Sequence, residues 1–416
     1  MKLQTGSSAK KSYLFAETGR IIAERERVTG QKVLNLGIGD VSLPLTRGVA
    51  AELVRASAEM GDKTTFRGYA PTRGYDFLLE KIVRYYASLG ICVRQSDVFV
   101  TSGAKEALSD ISALFARKNV VLLPEPSYPV YRSLGEVAQR KIVTLSANEE
   151  NGFLPVPDDN VAADVVYLCS PNNPTGAAYD APRLTQWVQY ALKKRAVIVY
   201  DAAYERFLPY GNAPCAPRSS RVAACTATAK TAVSPVRSIY QIPGAEQCAV
   251  EICSLSKSSS FTGVRCGYVV VPSALRPNGV SLKELYEHRS TVSCNGVAYV
   301  VQRAAAFALG EEGIKQNDEN IAYYMQNARI LRERLTSFGL RVFGGYAPYA
   351  WCKCPQGYSD SDFFHLLLNE ANVAVTPGGG FGESGKAYVR LSALQTRETI
   401  QKACDKIAET LLKFHL

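Results

Sequence analysis

Short apolar runs rich in β-branched residues recur through the middle of this 416-residue chain and limit the folds open to it. They cover residues 98–100, 119–123, 165–169 and 197–200, and the segments between them are long enough to hold crossover helices. Parallel strands need such crossovers, and a sheet buried on both faces needs strands that are apolar on both sides. The pattern therefore predicts an α/β fold with a mainly parallel sheet covered by helices on both faces.

The sequence pattern changes after about residue 285, where longer amphipathic stretches precede strand-like runs at 341–343 and 387–390. A chain of 416 residues also exceeds the roughly 250–300 residues that one core usually serves. We therefore predict a large domain joined to a smaller α+β domain. The predicted division is an N-terminal arm and part of the small domain at 1–44, a large domain at 45–287 with an exposed inserted loop at 212–237, and a small C-terminal domain at 288–416.

The composition argues against several classes of protein. Eleven cysteines without a Cys-x-x-Cys pair favour reduced thiols over a disulfide framework or a zinc site, and the three histidines lie near no nucleophile motif. The net charge is +10, but 48 basic residues are interspersed with 38 acidic ones, so we expect no nucleic-acid partner. No apolar run reaches the ~18 residues of a membrane span, and the start lacks a secretory signal, so we expect a cytoplasmic protein.

Residues 254–268 combine the groups that an aldehyde cofactor carrying a phosphate would need. The amine of Lys257 could condense with an aldehyde, while neighbouring serine hydroxyls and the guanidinium of Arg265 could hold a phosphate dianion. A plain polar loop is the alternative for this stretch taken alone.

Two further segments follow predicted strands and carry polar groups. Gly103 and Lys105 stand at a predicted helix start, where free backbone N–H groups favour an anion such as phosphate, although an ordinary glycine turn has the same pattern. Asp201 follows another strand and could keep a pyridine nitrogen protonated, with the Tyr204 phenol near the 3-oxygen of the ring. The alternative for Asp201 is a capping residue at a strand end.

Two more positions complete the predicted site. Two prolines and a glycine within 170–176 predict a rigid turn that presents the amide of Asn173 to the same ring oxygen. Arg390, in a strand-like run, is the candidate fork for a substrate α-carboxylate, since a guanidinium can bind both carboxylate oxygens. An exposed strand arginine is the alternative at this position.

Taken in order, these segments resemble the fold type I, pyridoxal-phosphate-dependent aminotransferases, and within them the LL-diaminopimelate aminotransferase family. Tyr-Leu-Phe at 13–15, Gly-Ala-Lys at 103–105 and Ile-Pro-Gly-Ala-Glu at 242–246 point to that narrower family. The remaining segments that carry the resemblance are 36–40, 68–74, 126–131, 170–176, 200–204, 238–241, 261–265, 295–296 and 347–349.

The resemblance implies a pyridoxal 5′-phosphate cofactor and a role for each matching residue. Lys257 would be the catalytic residue, bonded to the cofactor and shuttling a proton. The implied cofactor contacts are Asp201 with the pyridine nitrogen, Asn173 and Tyr204 with the 3-oxygen, Tyr128 on the ring face, Ala104, Lys105, Ser254, Ser256 and Arg265 with the phosphate, and Tyr69 and Asn295 from the other subunit. The implied substrate contacts are Tyr13, Gly39, Tyr69, Lys105, Tyr128, Asn173, Asn295 and Arg390.

The implied activity is a reversible transfer of an amino group between LL-2,6-diaminopimelate and 2-oxoglutarate, giving tetrahydrodipicolinate and glutamate for lysine and cell-wall precursors. Small amino and 2-oxo acids would be its partners, in a homodimer with shared active sites. The loop at 69–73 lacks the acidic residue expected near the far end of the substrate. The alternatives are an aminotransferase or a carbon–sulfur lyase acting on another amino acid, and, in another class, a cofactor-binding regulator or silent relative.

Overall fold

The computed structural model describes residues 14–209 and 234–416 of the chain. Tyr13 and residues 212–233 of the predicted insert therefore lie outside the described residues. The α-helices of the described part are α1 (Leu14–Thr29), α2 (Arg47–Met60), α3 (Asp76–Ser88), α4 (Ala104–Ala113), α5 (Pro129–Val137), α6 (Ala181–Lys194), α7 (Leu255–Ser258), α8 (Leu282–Ser293), α9 (Tyr299–Ala308), α10 (Glu311–Ser337), α11 (Asp360–Leu366) and α12 (Arg397–Lys413). The strands are β1 (Leu34–Asn35), β2 (Val98–Thr101), β3 (Val120–Glu125), β4 (Lys141–Ser146), β5 (Val165–Cys169), β6 (Val197–Asp201), β7 (Ala249–Ser254), β8 (Gly267–Val270), β9 (Val342–Phe343), β10 (Tyr349–Lys353), β11 (Val373–Ala374), β12 (Thr376–Pro377) and β13 (Tyr388–Ser392).

A seven-stranded sheet in the order β2-β8-β7-β6-β5-β3-β4 forms the centre of the molecule. Strand β8 runs antiparallel to both of its neighbours, and the remaining pairings are parallel. The predicted mainly parallel sheet is therefore confirmed, and each of the four apolar runs identified in the sequence is one of its strands.

The large sheet is buried on both faces, and the alternation of side chains along β5 shows how. Val166 and Leu168 belong to the hydrophobic core packed by α3, α6 and α9, whereas Val165, Tyr167 and Cys169 belong to the core packed by α4, α5 and α8. Successive side chains of a strand point to opposite faces, so a strand between two helical layers must be apolar throughout. This requirement explains the unbroken apolar runs in the sequence.

A second, smaller sheet lies in the C-terminal part of the chain, with strand order β12-β13-β10-β9 and antiparallel pairing. Its hydrophobic core combines Ile22, Val33 and Leu36 with residues of α10, α11 and α12. Parallel pairing of β1 with β11 also joins the two ends of the chain. The domain boundaries given above stay a prediction.

The helices of residues 14–209 and 234–416 include none that is both long and apolar enough to cross a bilayer.

A buried carboxylate anchors strand β7, which leads to Lys257. Glu251 is 1% exposed and accepts hydrogen bonds from Tyr86 Oη (2.6 Å), Ser238 Oγ (2.8 Å) and the Ile239 N–H (2.8 Å). Burial raises the pKa of Glu251 to about 7, although these donors act in the opposite direction. The carboxyl group thus fixes β7 to the segment at 238–239. Because its pKa is raised to about 7, it takes up a proton when the chain folds at a pH between 4.5 and about 7.

We expect Glu251→Gln to change how stability depends on pH. Between its ordinary pKa of 4.5 and about 7, the native protein holds a proton on Glu251 that the unfolded chain releases, so stability falls as the pH rises through this window. From pH 5 to pH 7.5 the variant should lose about 2 kcal/mol less stability than the wild type. Urea unfolding at both pH values measures the difference, with exposed Glu246→Gln as the control. Equal pH dependence in wild type and E251Q would contradict the expectation.

Candidate active site

The predicted site residues come together because the ends of several strands meet at one edge of the large sheet. Asp201 ends β6, Asn173 lies in the turn after β5, and Lys257 follows β7. Parallel strands place their carboxyl ends at a common edge, where open α/β folds bind ligands. Because β8 is antiparallel, its beginning lies at the same edge, so Arg265 just before it joins the others.

These side chains line one cavity of about 440 Å³. Twelve of the predicted site residues border it: Gly39, Ala104, Lys105, Tyr128, Asn173, Asp201, Tyr204, Ser254, Ser256, Lys257, Arg265 and Arg390. The structure therefore brings together residues from both ends and from the middle of the chain. Their individual roles stay predictions.

Lys257 lies on the short helix α7, whose start is capped by Ser254 Oγ accepting the Ser256 N–H at 3.1 Å. Its Nζ donates a hydrogen bond to the backbone oxygen of Gly39. Burial lowers the pKa of Lys257 to about 8; Asp40 opposes this shift, and the cations Arg390, Arg265 and Lys105 add to it. The amine is therefore neutral in a substantial fraction of molecules at mildly alkaline pH, as a nucleophile or base must be.

The groups around Arg265 fit a phosphate dianion. Arg265 Nη1 donates to Ser256 Oγ at 3.1 Å, and α4 begins at Ala104 with its first N–H groups at the cavity. Burial and the neighbouring Arg265 lower the pKa of Lys105, so an anion between these two cations would relieve their repulsion.

Gly103 is required where α4 approaches Arg265. Its φ is +107°, and a Cβ at this position would lie 2.5 Å from Arg265 Nη2. The backbone conformation disfavours any side chain, and a Cβ would push the guanidinium of Arg265 away from its position. The ordinary glycine turn considered from the sequence is thus a turn that also makes room for the guanidinium.

Asp201 is a buried acid at the inner end of the cavity, 4% exposed. Its Oδ2 accepts a hydrogen bond from Tyr131 Oη at 2.7 Å, and its Oδ1 accepts one from the Ala203 N–H at 3.1 Å. Burial raises the pKa of Asp201, and the two donors oppose that shift by stabilising the carboxylate. Such a group suits a protonated ring nitrogen.

Arg390 is buried, at 1% exposed, so the exposed strand arginine considered from the sequence is excluded. Its Nη1 donates to Asn173 Oδ1 and its Nη2 to the oxygen of Gly37, both at 2.7 Å. The guanidinium also lies over the ring of Tyr349, with its carbon 4.5 Å from the centroid.

No carboxylate of residues 14–209 or 234–416 forms an ion pair with Arg390, and its Nε is buried without a hydrogen-bond partner there. A buried cation without a counterion is costly, so the arrangement favours an anionic ligand. The carboxylate of a small substrate fits this requirement. The oxygen of Asn173 accepts from Arg390, so only its NH₂ group could donate to a cofactor oxygen.

Three predicted residues do not line the cavity. Tyr69 is 87% exposed, Asn295 lies on the surface, and Tyr13 is outside the described residues. The motifs carry no separate prediction for Phe15, Asp40, Tyr131 and Tyr349, which also border the cavity. Tyr349 forms a 2.6 Å hydrogen bond with Tyr204, and Tyr131 stands one helical turn after Tyr128, a spacing that could have suggested it.

Among the described ranges, no group of three or more His, Cys, Asp or Glu side chains could hold a metal ion.

Comparison with known proteins gives consistent results over nearly the whole chain. A sequence model of the family Aminotransferase class I and II matches residues 31–407. The chain is 39% identical to the LL-diaminopimelate aminotransferase of Methanosphaera stadtmanae over 423 residues, covering 97% of each protein.

Solved structures agree with the sequence comparison. The L,L-diaminopimelate aminotransferase from Chlamydomonas reinhardtii superimposes with a TM-score of 0.87 at 31% identity, over 98% of this chain and 99% of that one. Substrate-bound BacF from Bacillus subtilis gives a TM-score of 0.81 at 24% identity, over 98% of both chains. Because BacF is only 24% identical to this chain, its similarity concerns the fold alone.

We expect Gly103→Ala to weaken binding of pyridoxal 5′-phosphate by about tenfold or more, because a Cβ would strain the backbone and displace Arg265. An absorbance titration measures the affinity. Gly263→Ala is the matched control, since a Cβ there has no atom within 4 Å and the residue lies two positions before Arg265. Unchanged affinity in G103A would contradict the expectation.

Proposed function

We propose that this chain, which belongs to the class I and II aminotransferase family, moves an amino group reversibly between LL-2,6-diaminopimelate and 2-oxoglutarate. The products would be tetrahydrodipicolinate and glutamate, and the reaction would serve the synthesis of lysine and cell-wall precursors. The observation that carries the proposal is one cavity that holds the amine of Lys257, the buried acid of Asp201 and the guanidinium of Arg390, which forms no ion pair within the described residues. The choice of substrate is supported by the similarity to two LL-diaminopimelate aminotransferases.

The cofactor of this proposal is pyridoxal 5′-phosphate. When bound, it supplies an aldehyde carbon and a pyridine ring that withdraws electrons from the α-carbon of an attached amino acid. Its phosphate would be held by Arg265, Ser256, Ser254, Lys105 and the first N–H groups of α4. Asp201 would hold a proton on the ring nitrogen, and the Asn173 NH₂ group and Tyr204 hydroxyl would donate to the ring 3-oxygen.

Lys257 and Arg390 would act on the substrate itself. Arg390 would bind the α-carboxylate with the N–H groups that Asn173, Gly37 and Thr376 do not occupy, which fixes the position of the α-carbon. Lys257 Nζ, with a pKa of about 8, would remove the proton from the α-carbon of the amino donor. In the second half of the reaction it would return a proton to the α-carbon of the new amino acid.

The protein would work as a homodimer with shared active sites. Phe66 is 60% exposed and Tyr69 is 87% exposed on a loop that packs against α8, where Arg73 approaches Glu287 at 3.7 Å. Val292, on the same helix, is 74% exposed. Large exposed apolar side chains gathered on one surface mark protein interfaces. A second copy seated on this surface could bring Tyr69 to the cavity of its partner.

Cytoplasmic location and the absence of nucleic-acid and membrane partners remain expectations from the sequence.

Absorbance spectra during substrate addition test the reaction. LL-diaminopimelate should convert the absorption band of the lysine-bound cofactor into that of the pyridoxamine form, and 2-oxoglutarate should restore it. The same additions to Lys257→Ala should produce neither band change nor turnover. If diaminopimelate leaves the absorption band unchanged, the proposed substrate pair is wrong. If cysteine-like substrates release pyruvate, the activity is that of a carbon–sulfur lyase instead. Turnover by the Lys257 variant would overturn the mechanism.

Mixed dimers test the sharing of sites. If Tyr69 serves the partner's cavity, a dimer of one Lys257→Ala chain and one Tyr69→Ala chain contains one intact site. Mixing the two inactive variants should therefore restore activity, up to about a quarter of the wild-type level for random pairing. Mixing each variant with itself is the control. No recovery in verified mixed dimers would show that Tyr69 does not act across subunits.

A further inference from the structure

We propose that Tyr131 is a positioning residue that holds the Asp201 carboxylate ionised and correctly oriented toward the ring nitrogen of the cofactor. The inference rests on the proposed cofactor and concerns a residue to which neither the sequence motifs nor the family resemblance gave a role. The contacts of the Tyr131 hydroxyl group support it.

The hydroxyl of Tyr131 donates its proton to Asp201 and also contacts the thiol of Cys169. Its Oη donates to Asp201 Oδ2 at 2.7 Å, and both side chains are buried, at 1% and 4% exposed. The second donor, the Ala203 N–H, reaches the other carboxylate oxygen at 3.1 Å. One donor on each oxygen fixes the plane of the carboxylate and still leaves each oxygen a lone pair for a ring N–H.

The surroundings of Asp201 make this donor important. Burial raises the pKa of Asp201, and the Tyr131 hydroxyl is the strongest influence in the opposite direction, followed by the Ala203 N–H. Cys169, which faces Asp201 across the sheet register, is a buried thiol whose own pKa is raised by burial and then by Asp201. It therefore stays neutral and adds no second negative charge next to Asp201. Without the phenol, a protonated Asp201 becomes more favourable and holds the ring proton less strongly.

Packing fixes the phenol in place. The Tyr131 ring stacks on Tyr167 with centroids 5.0 Å apart and planes at 18°, and it meets the Tyr128 ring edge-on at 5.6 Å. Tyr128 precedes the first turn of α5, and Tyr131 lies within that turn. By the resemblance, Tyr128 would cover the face of the cofactor ring. One helical turn would thus set both the ring plane and the acid that faces its nitrogen.

Tyr131→Phe removes only the hydroxyl and is the test variant. Apoprotein is loaded with pyridoxal 5′-phosphate carrying ¹⁵N in the ring, and the nitrogen chemical shift reports how much of the ring is protonated. Affinity is measured in parallel for this cofactor and for the 1-deaza analogue, in which C–H replaces the ring nitrogen. Tyr167→Phe is the matched control, because it removes a neighbouring buried phenol that hydrogen-bonds with Ser112 and not with Asp201.

We expect Y131F to move the ¹⁵N shift toward that of unprotonated pyridine and to weaken binding of the natural cofactor by about tenfold, as for loss of a charge-assisted hydrogen bond. The deaza analogue should bind wild type and Y131F about equally, within about twofold, which also shows that the variant is folded. Tyr167→Phe should change neither quantity.

Three results would overturn the proposal: an unchanged ¹⁵N shift in Y131F, an equal loss of affinity for both cofactors, or the same shift in Tyr167→Phe. A wild-type protein that binds neither cofactor would instead reject the proposed function on which this inference rests, so the two failures are distinguishable.

Discussion

Repulsion among four cationic side chains in one cavity is the constraint on which the rest of the site depends. Lys105, Lys257, Arg265 and Arg390 share the cavity with only two acids of the described residues, Asp40 and Asp201. Burial lowers the pKa of both Lys105 and Lys257, and the neighbouring cations lower it further. The strands hold these charges at fixed positions, and anions such as a phosphate and carboxylates are the ligands that would balance them.

The hydrogen bond between Arg390 and Asn173 connects the small sheet with the large sheet. Arg390 lies in the small sheet on β13, and its hydrogen bond to Asn173 reaches the turn that follows β5 of the large sheet. The rings of Tyr349, Phe381 and Phe15 enclose the guanidinium with centroid distances of 4.5, 5.0 and 5.3 Å. Aromatic faces attract a cation without neutralising it, so they keep the charge available to a ligand.

Much of the fold could be predicted from the sequence, because buried parallel strands require unbroken apolar runs. Strand β7 could not be predicted from this pattern because Glu251 interrupts its apolar run. Strand β4 could not be predicted either, because it carries the polar residues that suit the edge of a sheet. Asp201 and Asn173 could be predicted because they stand at the ends of predicted strands, and Lys257 because serine hydroxyls and Arg265 lie close to it in the sequence. The contacts of Tyr131 and Tyr349 could not, because they join residues 70 and 145 positions apart and depend on tertiary packing.

The hydrogen bond from Lys257 to the oxygen of Gly39 has a consequence for how a ligand enters. The backbone oxygen of Gly39 accepts a hydrogen bond from the same amine that the proposed reaction uses, so a ligand of Lys257 competes with this contact. The free energy of such binding is the difference between two sets of contacts, and a ligand must offer the amine at least as much as Gly39 does.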